Sequence, residues 1–314
     1  MEYRRLGRTN LEVSAISLGT VELGMEYGIT SSEQANGKPS EQEARRILNR
    51  ALDCGINYLD TARVYGDSEA IIGRTLEGRR HEFILNTKVS SFEEEGLAGE
   101  ALRNRVVESV HQSLRALRTE SIDVLMIHSA STEVIARGEM VSILEGFRRA
   151  GYVRYLGASV YGEQAALAAI QSGTLDCLQI AYSVLDRRPE KQVLTAAEKH
   201  DVGLVARSVL LKGALTTRYT SLPNALLPLR SAIERLVRTT AETDTSDLSE
   251  LAYRYVLGRV GVHTALVGAS SVGELEAAIR YASCGPLSGN VLARLEGLDL
   301  DDDELLNPGK WPPL

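Results

Sequence analysis

Four side chains in the first 130 residues have the types needed to move a proton onto a carbonyl oxygen. Asp60 and Tyr65 lie in "LDTARVYGDSE", Lys88 closes "FILNTK", and His128 closes "SIDVLMIH". A phenol is a poor acid near neutral pH, with an ordinary pKa of about 10, unless a cation stabilises its phenolate. Lys88 is the candidate cation and Asp60 the carboxylate that keeps it charged and oriented. His128 can hydrogen-bond a substrate carbonyl, so that Tyr65 gives a proton to an oxygen becoming an alkoxide. None of the four suits attack at carbon, and a hydride from a bound nicotinamide fits that missing part.

Such a set works only if the fold brings three separate segments to one rim. Short apolar runs alternate with longer segments whose apolar residues recur every three or four positions, a βαβα rhythm. Eight runs read as strands: 15–20, 57–60, 83–88, 121–128, 154–159, 177–182, 203–207 and 263–268. Helices intervene, among them 40–54, opened by the capping box Ser40-x-x-Glu43, and 100–118, with a stripe of Leu102, Val106, Val110, Leu114 and Leu117. Eight such pairs predict an α/β fold, a closed (β/α)₈ TIM barrel, with chemistry at the C-terminal ends of its strands. An open doubly wound sheet would carry a G-x-G-x-x-G turn after its first strand, and "SLGTVELGMEYG" lacks that spacing. The first residues read as a β-hairpin turned at Gly7 to Asn10, a lid on the barrel's bottom. A long loop after the seventh strand, 208–245, and a C-terminal tail from 288 to Leu314 exceed the repeat and are expected to shape the pocket, together with Tyr27 and its loop.

Residues 1–314 read as a single domain: 44% hydrophobic and 25% charged composition supports a large core, and no linker of Ser, Gly or Pro divides the chain. A net charge of −7 without a basic run argues against nucleic acid as a partner. A charged start, "MEYRR", and the lack of ~20 consecutive apolar residues predict neither secretion nor membrane insertion, hence a cytoplasmic protein. Cys54, Cys177 and Cys284 are odd in number and sit among apolar neighbours, as reduced core thiols do. No cluster of His, Cys, Asp or Glu shows metal-ligand spacing, and no motif fixes an oligomeric state.

The stretches "GINYLDTARVYGDSEAIIG", "NTK", "MIHS", "LGAS" and "LQIAYSVLDRR" together resemble, nearly end to end, the successive signatures of the aldo-keto reductases. That resemblance implies an NAD(P)H-dependent carbonyl reductase or alcohol dehydrogenase acting on an aldehyde, ketone or sugar, with Asp60, Tyr65, Lys88 and His128 as its catalytic tetrad. It implies that Ser159 and Gln179 hydrogen-bond the nicotinamide carboxamide and that Gly19 and Thr20 lie along the cofactor. "RSVLLKG", with Arg207, Ser208 and Leu210, and "GASS", with Gly268, Ala269 and Ser270, would be its phosphate loops. Gly268 to Ser271 also lead from a strand into a helix, whose free N–H groups attract anions. The chain departs from the family at Val160, where an asparagine is frequent, at Arg207, where a stacked tyrosine is frequent, and at Glu274 and Ala277-Ala278 beside the adenosine.

Glu274 has two readings: a carboxylate that repels a 2′-phosphate and favours NAD(H), or the second half of a capping box with Ser271, turned away from a bound NADP(H). The family prior favours NADP(H). Two other functions fit the same residues, a Schiff-base aldolase with Lys88 as nucleophile and a dinucleotide-binding regulatory scaffold with little turnover.

Overall fold

The computed structural model describes residues 1–29 and 38–312. Among the described residues, ten strands form two sheets. β1 (Tyr3–Arg5) and β2 (Glu12–Ser14) pair antiparallel as a hairpin. The other eight close a barrel: β3 (Ile16–Gly19), β4 (Tyr58–Asp60), β5 (Ile84–Ser90), β6 (Ile122–Ala130), β7 (Val153–Val160), β8 (Cys177–Ala181), β9 (Gly203–Arg207) and β10 (Thr264–Gly268). All pairings within it are parallel and run in chain order, with β10 closing on β3. This is the (β/α)₈ barrel that the alternation predicts, and each strand lies within two or three residues of its expected limits.

The expected helix at 40–54 is Glu41–Asp53, and Ser40 Oγ accepts from the Glu43 N–H at 3.2 Å, one half of the expected capping box. The next is Gly99–Leu117, which buries Leu102, Val106, Val110, Leu114 and Leu117 against the barrel. The hairpin lies under the barrel: the Arg8 N–H donates to the Asp201 carbonyl at 2.6 Å, just before β9 begins. Leu6, Leu11 and Val13 from this region join Tyr58, Val124, Met126, Cys177 and Val205 in a separate apolar cluster that fills the barrel's lower interior.

Two segments differ from their expected form. The 208–245 stretch is more than a loop, because short 3₁₀ turns in it are followed by a helix, Leu227–Thr240, whose Leu229, Ile233 and Leu236 are buried. The described part of the C-terminal tail packs on the turn after β8 and leaves the main cavity alone. The Leu300 N–H donates to Leu185 O at 2.9 Å, Arg187 Nη2 donates to Leu295 O at 2.9 Å, and no described residue beyond 288 lines the cleft. Trp311 is buried in that packing, and Pro313 and Leu314 lie outside the described residues, as does most of the loop after Tyr27. Among the described residues no helix is long and apolar enough to cross a membrane.

Candidate active site

Asp60 ends β4 and projects into the barrel, where its carboxylate collects three donors. Lys88 Nζ donates to Oδ2 at 2.7 Å, while Asn86 Nδ2 and Gln179 Nε2 donate to Oδ1 at 2.5 and 2.7 Å. Asn86 and Lys88 lie two apart on β5 and so share its inward face, the strand periodicity that "NTK" carries. Lys88 is shut off from solvent and also donates to Thr61 O at 3.0 Å and to Tyr65 Oη at 3.4 Å. β5 runs two residues past Lys88 and β6 two past His128, so neither closes its strand. A register irregularity between Ile127 and Ala130 interrupts the pairing of β6 with β7 at His128, which stays paired with Ser90 of β5.

Tyr65 sits on the turn after β4, its ring edge-on to His128 with centroids 5.6 Å apart and planes at 82°. That turn rests against Gly24, on which a Cβ would overlap the Tyr65 carbonyl oxygen, so only glycine allows this approach. Behind it, Thr61, Ser68 and Thr20 form a hydroxyl chain that ends on Asp60 O, with Thr20 Oγ1 donating at 2.8 Å. Buried Glu69, paired with Arg63, accepts from Thr87 Oγ1 at 2.7 Å.

The electrostatics follow from burial. Burial, then Asp60, pushes the Tyr65 phenol well above its usual value, with Arg207 opposing. The phenol is therefore a held proton, and the downward shift expected from Lys88 does not prevail. Burial lowers the Lys88 ammonium while Asp60 supports it. Burial, then Lys88 and Arg207, lowers His128 to about 3, which leaves a neutral imidazole at physiological pH.

A cleft of about 560 Å³ opens over this group and runs toward the end of β10. Asp60, Tyr65 and His128 line one end, and Lys88 stands behind them. Gly19, Thr20, Ser159, Gln179, Arg207, Ser208, Leu210, Gly268, Ala269, Ser270 and Glu274 all line the same cleft. Ser208, Leu211 and Lys212 hold φ of 61°, 47° and 58°, left-handed backbone that costs about 1 kcal/mol or more per non-glycine residue. Strain concentrated in one loop at a cleft is a mark of ligand contact. The Arg207 guanidinium lies 3.8 Å from the Tyr161 ring centroid and donates to Val160 O at 3.0 Å. Gln179 directs one amide N–H at Asp60, which leaves its carbonyl oxygen and its second N–H for a ligand.

Sequence reasoning missed part of the far end. Glu274 pairs with Arg218, and its Oε2 accepts from Ser270 N at 2.8 Å and Ser270 Oγ at 2.9 Å. Ser271 Oγ accepts from Glu274 N at 3.2 Å as a capping box requires, but the carboxylate returns to Ser270 and not to Ser271. Glu43 Oε1 takes the Val272 N–H at 3.1 Å. The N–H groups expected to be free for an anion are thus held in part by this chain's own carboxylates. Nothing in the sequence marks Arg218, whose distance of 56 residues from Glu274 is closed only by the fold.

A buried lysine and aspartate beneath a phenol, a neutral histidine against it, and one long cleft at the C-terminal rim of a barrel give the comparisons with known proteins their weight. The model of the Aldo/keto reductase family matches residues 15–300. This chain is an aldo/keto reductase. It is 29% identical over 309 residues to the uncharacterized oxidoreductase YqkF of Bacillus subtilis, covering 94% of this chain and 96% of that one. It is 30% identical over 235 residues to the NADH-specific methylglyoxal reductase of Escherichia coli, covering 68% of this chain and 69% of that one. The aldo-keto reductase AKR11C1 from Bacillus halodurans, in its holo form, superposes with a TM-score of 0.78 at 30% identity over 95% of this chain and 96% of that one. This aldo/keto reductase is an NAD(P)-dependent oxidoreductase, and its family acts on small-molecule carbonyl compounds.

Proposed function

We propose that the enzyme reduces an aldehyde or ketone, and oxidises the corresponding alcohol, with Tyr65 as the acid and base at oxygen. A bound nicotinamide supplies the hydride. The residues fit that group: the cleft is long, polar Ser159 and Gln179 line it beside the tetrad, and strained Ser208 and Lys212 mark its wall. His128, neutral, donates one N–H toward the substrate oxygen and aligns it with the Tyr65 hydroxyl. Tyr65 gives up its Oη proton as that oxygen gains charge, and Lys88, 3.4 Å away, stabilises the phenolate left behind. Asp60 holds Lys88 in place for that task.

The observation that carries this reading is the Asp60–Lys88–Tyr65 chain with His128 packed on the phenol. It also weighs against a Schiff-base aldolase, because the three N–H bonds of Lys88 are already directed at Asp60, Thr61 and Tyr65, which leaves no lone pair for attack.

NAD(H) is the cofactor that the adenosine end favours. Glu274 and Glu43 occupy the N–H groups that a 2′-phosphate would use, and the neighbouring cations Arg218 and Arg46 pair with those same carboxylates. On that account we propose NAD(H) ahead of the NADP(H) that the family prior favours, in keeping with a relative that is NADH-specific by name.

Binding of NADH and NADPH followed by fluorescence, then turnover of a panel of aldehydes and ketones, tests the reading. Tyr65→Phe is expected to lower kcat by about 10²–10⁴-fold with cofactor Kd nearly unchanged. A variant that keeps more than about a tenth of wild-type kcat would place the proton elsewhere.

A further inference from the structure

Glu22 is unassigned by the readings above. It follows β3 directly and lines the cleft, yet its Oε2 is sealed from solvent without a hydrogen-bond partner among the described residues. A buried carboxylate oxygen left unpaired is costly enough to need an explanation. Its other oxygen, Oε1, covers the bare Cα of Gly268, on which a Cβ would overlap it. Glu22 therefore sits on Gly268, the last residue of β10, at the start of the turn into the helix Val272–Ser283, and it lines the same wall as a second carboxylate, Glu274.

We infer that Glu22 contacts the diphosphate of the bound dinucleotide and takes up a proton when it does so. The inference rests on the nicotinamide-cofactor reading. An anion brought against two carboxylates needs their charge relieved: Arg218 relieves Glu274, and no cation is paired with Glu22 among the described residues. A proton on Glu22 removes the repulsion and turns an orphaned acceptor into an O–H donor for a phosphate oxygen.

The surroundings favour such a proton. Burial lifts the Glu22 carboxyl to about 7, its own backbone N–H holds it down, Glu274 adds to the rise and Arg218 opposes it. The other titratable groups that sense it are Tyr27 on the same loop, Tyr65 after β4 and Tyr253 on the helix Leu248–Leu257, all phenols that burial raises. The sign follows: the bound state holds the proton more tightly than the free state, so affinity is full below about pH 7 and falls as pH rises through that value.

The test is the Kd of NADH for the full-length enzyme between pH 6 and 9, with calorimetry in two buffers of different ionisation enthalpy. The expected result is a Kd rising toward about tenfold per pH unit above 7, with close to one proton taken up per NADH at pH 8.5. Glu22→Gln, which keeps the shape and the donor, is expected to flatten the profile and to bind at least tenfold more tightly than wild type at pH 8.5. Calorimetry on the unaltered protein gives the proton count even where the variant folds poorly. A wild-type Kd independent of pH, a slope retained in Glu22→Gln, or weaker binding by that variant at every pH would each overturn the inference, the last by showing an ionised Glu22 that accepts from a ribose hydroxyl. Binding of neither NADH nor NADPH at any pH would overturn the cofactor reading itself and this inference with it.

Discussion

Lys88 and Asp60 form an ion pair sealed inside the barrel, and a buried pair of this kind is weak evidence for stability, because desolvation of both charges offsets their attraction. Under the proposed mechanism its place at the foot of the cleft is explained by what it does for Tyr65. The same buried positive charge acts on His128 and gives the site an unusual pH response. His128 ordinarily titrates near 6.5, but here it stays neutral down to about 3, so kcat/KM is expected to show no inflection near 6.5. An acid limb at 6.5 that disappears in His128→Gln would overturn this. For stability the sign runs the same way. The unfolded chain binds a proton at His128 that the folded chain refuses, so stability is present above 6.5 and is lost as pH falls toward 3. Urea titrations of wild type and His128→Gln from pH 7 to 4 are expected to converge by at most about 1 kcal/mol per pH unit, His128 being only partly buried. The residue types of this site were legible in the sequence because barrel strands are short and apolar, so a charged or polar residue near the end of each stands out, even though β5 and β6 run on past Lys88 and His128. Asn86 was quoted within "NTK" without a role, since a one-dimensional reading cannot tell which polar neighbour reaches Asp60.

At the scale of elements, the proposed cofactor end is tied by an ion pair between two of them. Arg218 comes from a 3₁₀ turn, Thr217–Ser221, and Glu274 from the first turn of Val272–Ser283, so one pair ties the segment after β9 to the helix after β10. Reversing the charge at Glu274 is expected to free Ser270 N–H and to add a cation where a 2′-phosphate would come. Glu274→Arg is therefore expected to tighten NADPH at least tenfold while leaving NADH within about threefold, since one favourable contact at an effective dielectric near 20 is worth roughly 3 kcal/mol and the original pairing is lost in both cases. Equal changes for the two cofactors would assign Glu274 to the helix cap alone. The strands and the helices 41–53 and 99–117 were legible because periodicity and capping are local, and they match to within a few residues. The helix Leu227–Thr240 was passed over because the segment reads as an insertion between repeats, although Leu229, Ile233 and Leu236 carry helical spacing. The tail was expected at the cleft by analogy of position, and its contacts with the turn after β8 depend on pairings across more than 100 residues, such as Arg187 to Leu295, that no local signal encodes.

Across the whole molecule, function and stability occupy opposite ends of the barrel. The C-terminal rim carries the proposed acid, the charges and the strained loop, each of which costs folding free energy. The lower end carries apolar packing: Leu6, fully buried, comes up from the hairpin to meet Tyr58, Val124, Met126 and Cys177 inside the barrel. Tyr58 lies two residues before Asp60 on β4, which links the two ends through one short strand. The separation predicts that Leu6→Ala costs about 2–5 kcal/mol, because the methyl groups are removed from a site whose strands cannot collapse around the space. Activity should survive, since the strand ends holding Asp60, Lys88 and His128 are fixed by the parallel ladder from β3 to β7 and not by the hairpin. Urea unfolding with kcat measured on the same preparations checks both halves. A midpoint loss equivalent to 2 kcal/mol or more, with kcat within about twofold of wild type, is the expected outcome. A cost below about 1 kcal/mol would make the hairpin an ornament on an already complete barrel, and a large fall in kcat at a temperature where the variant is folded would show that the lower core positions the acid through β4.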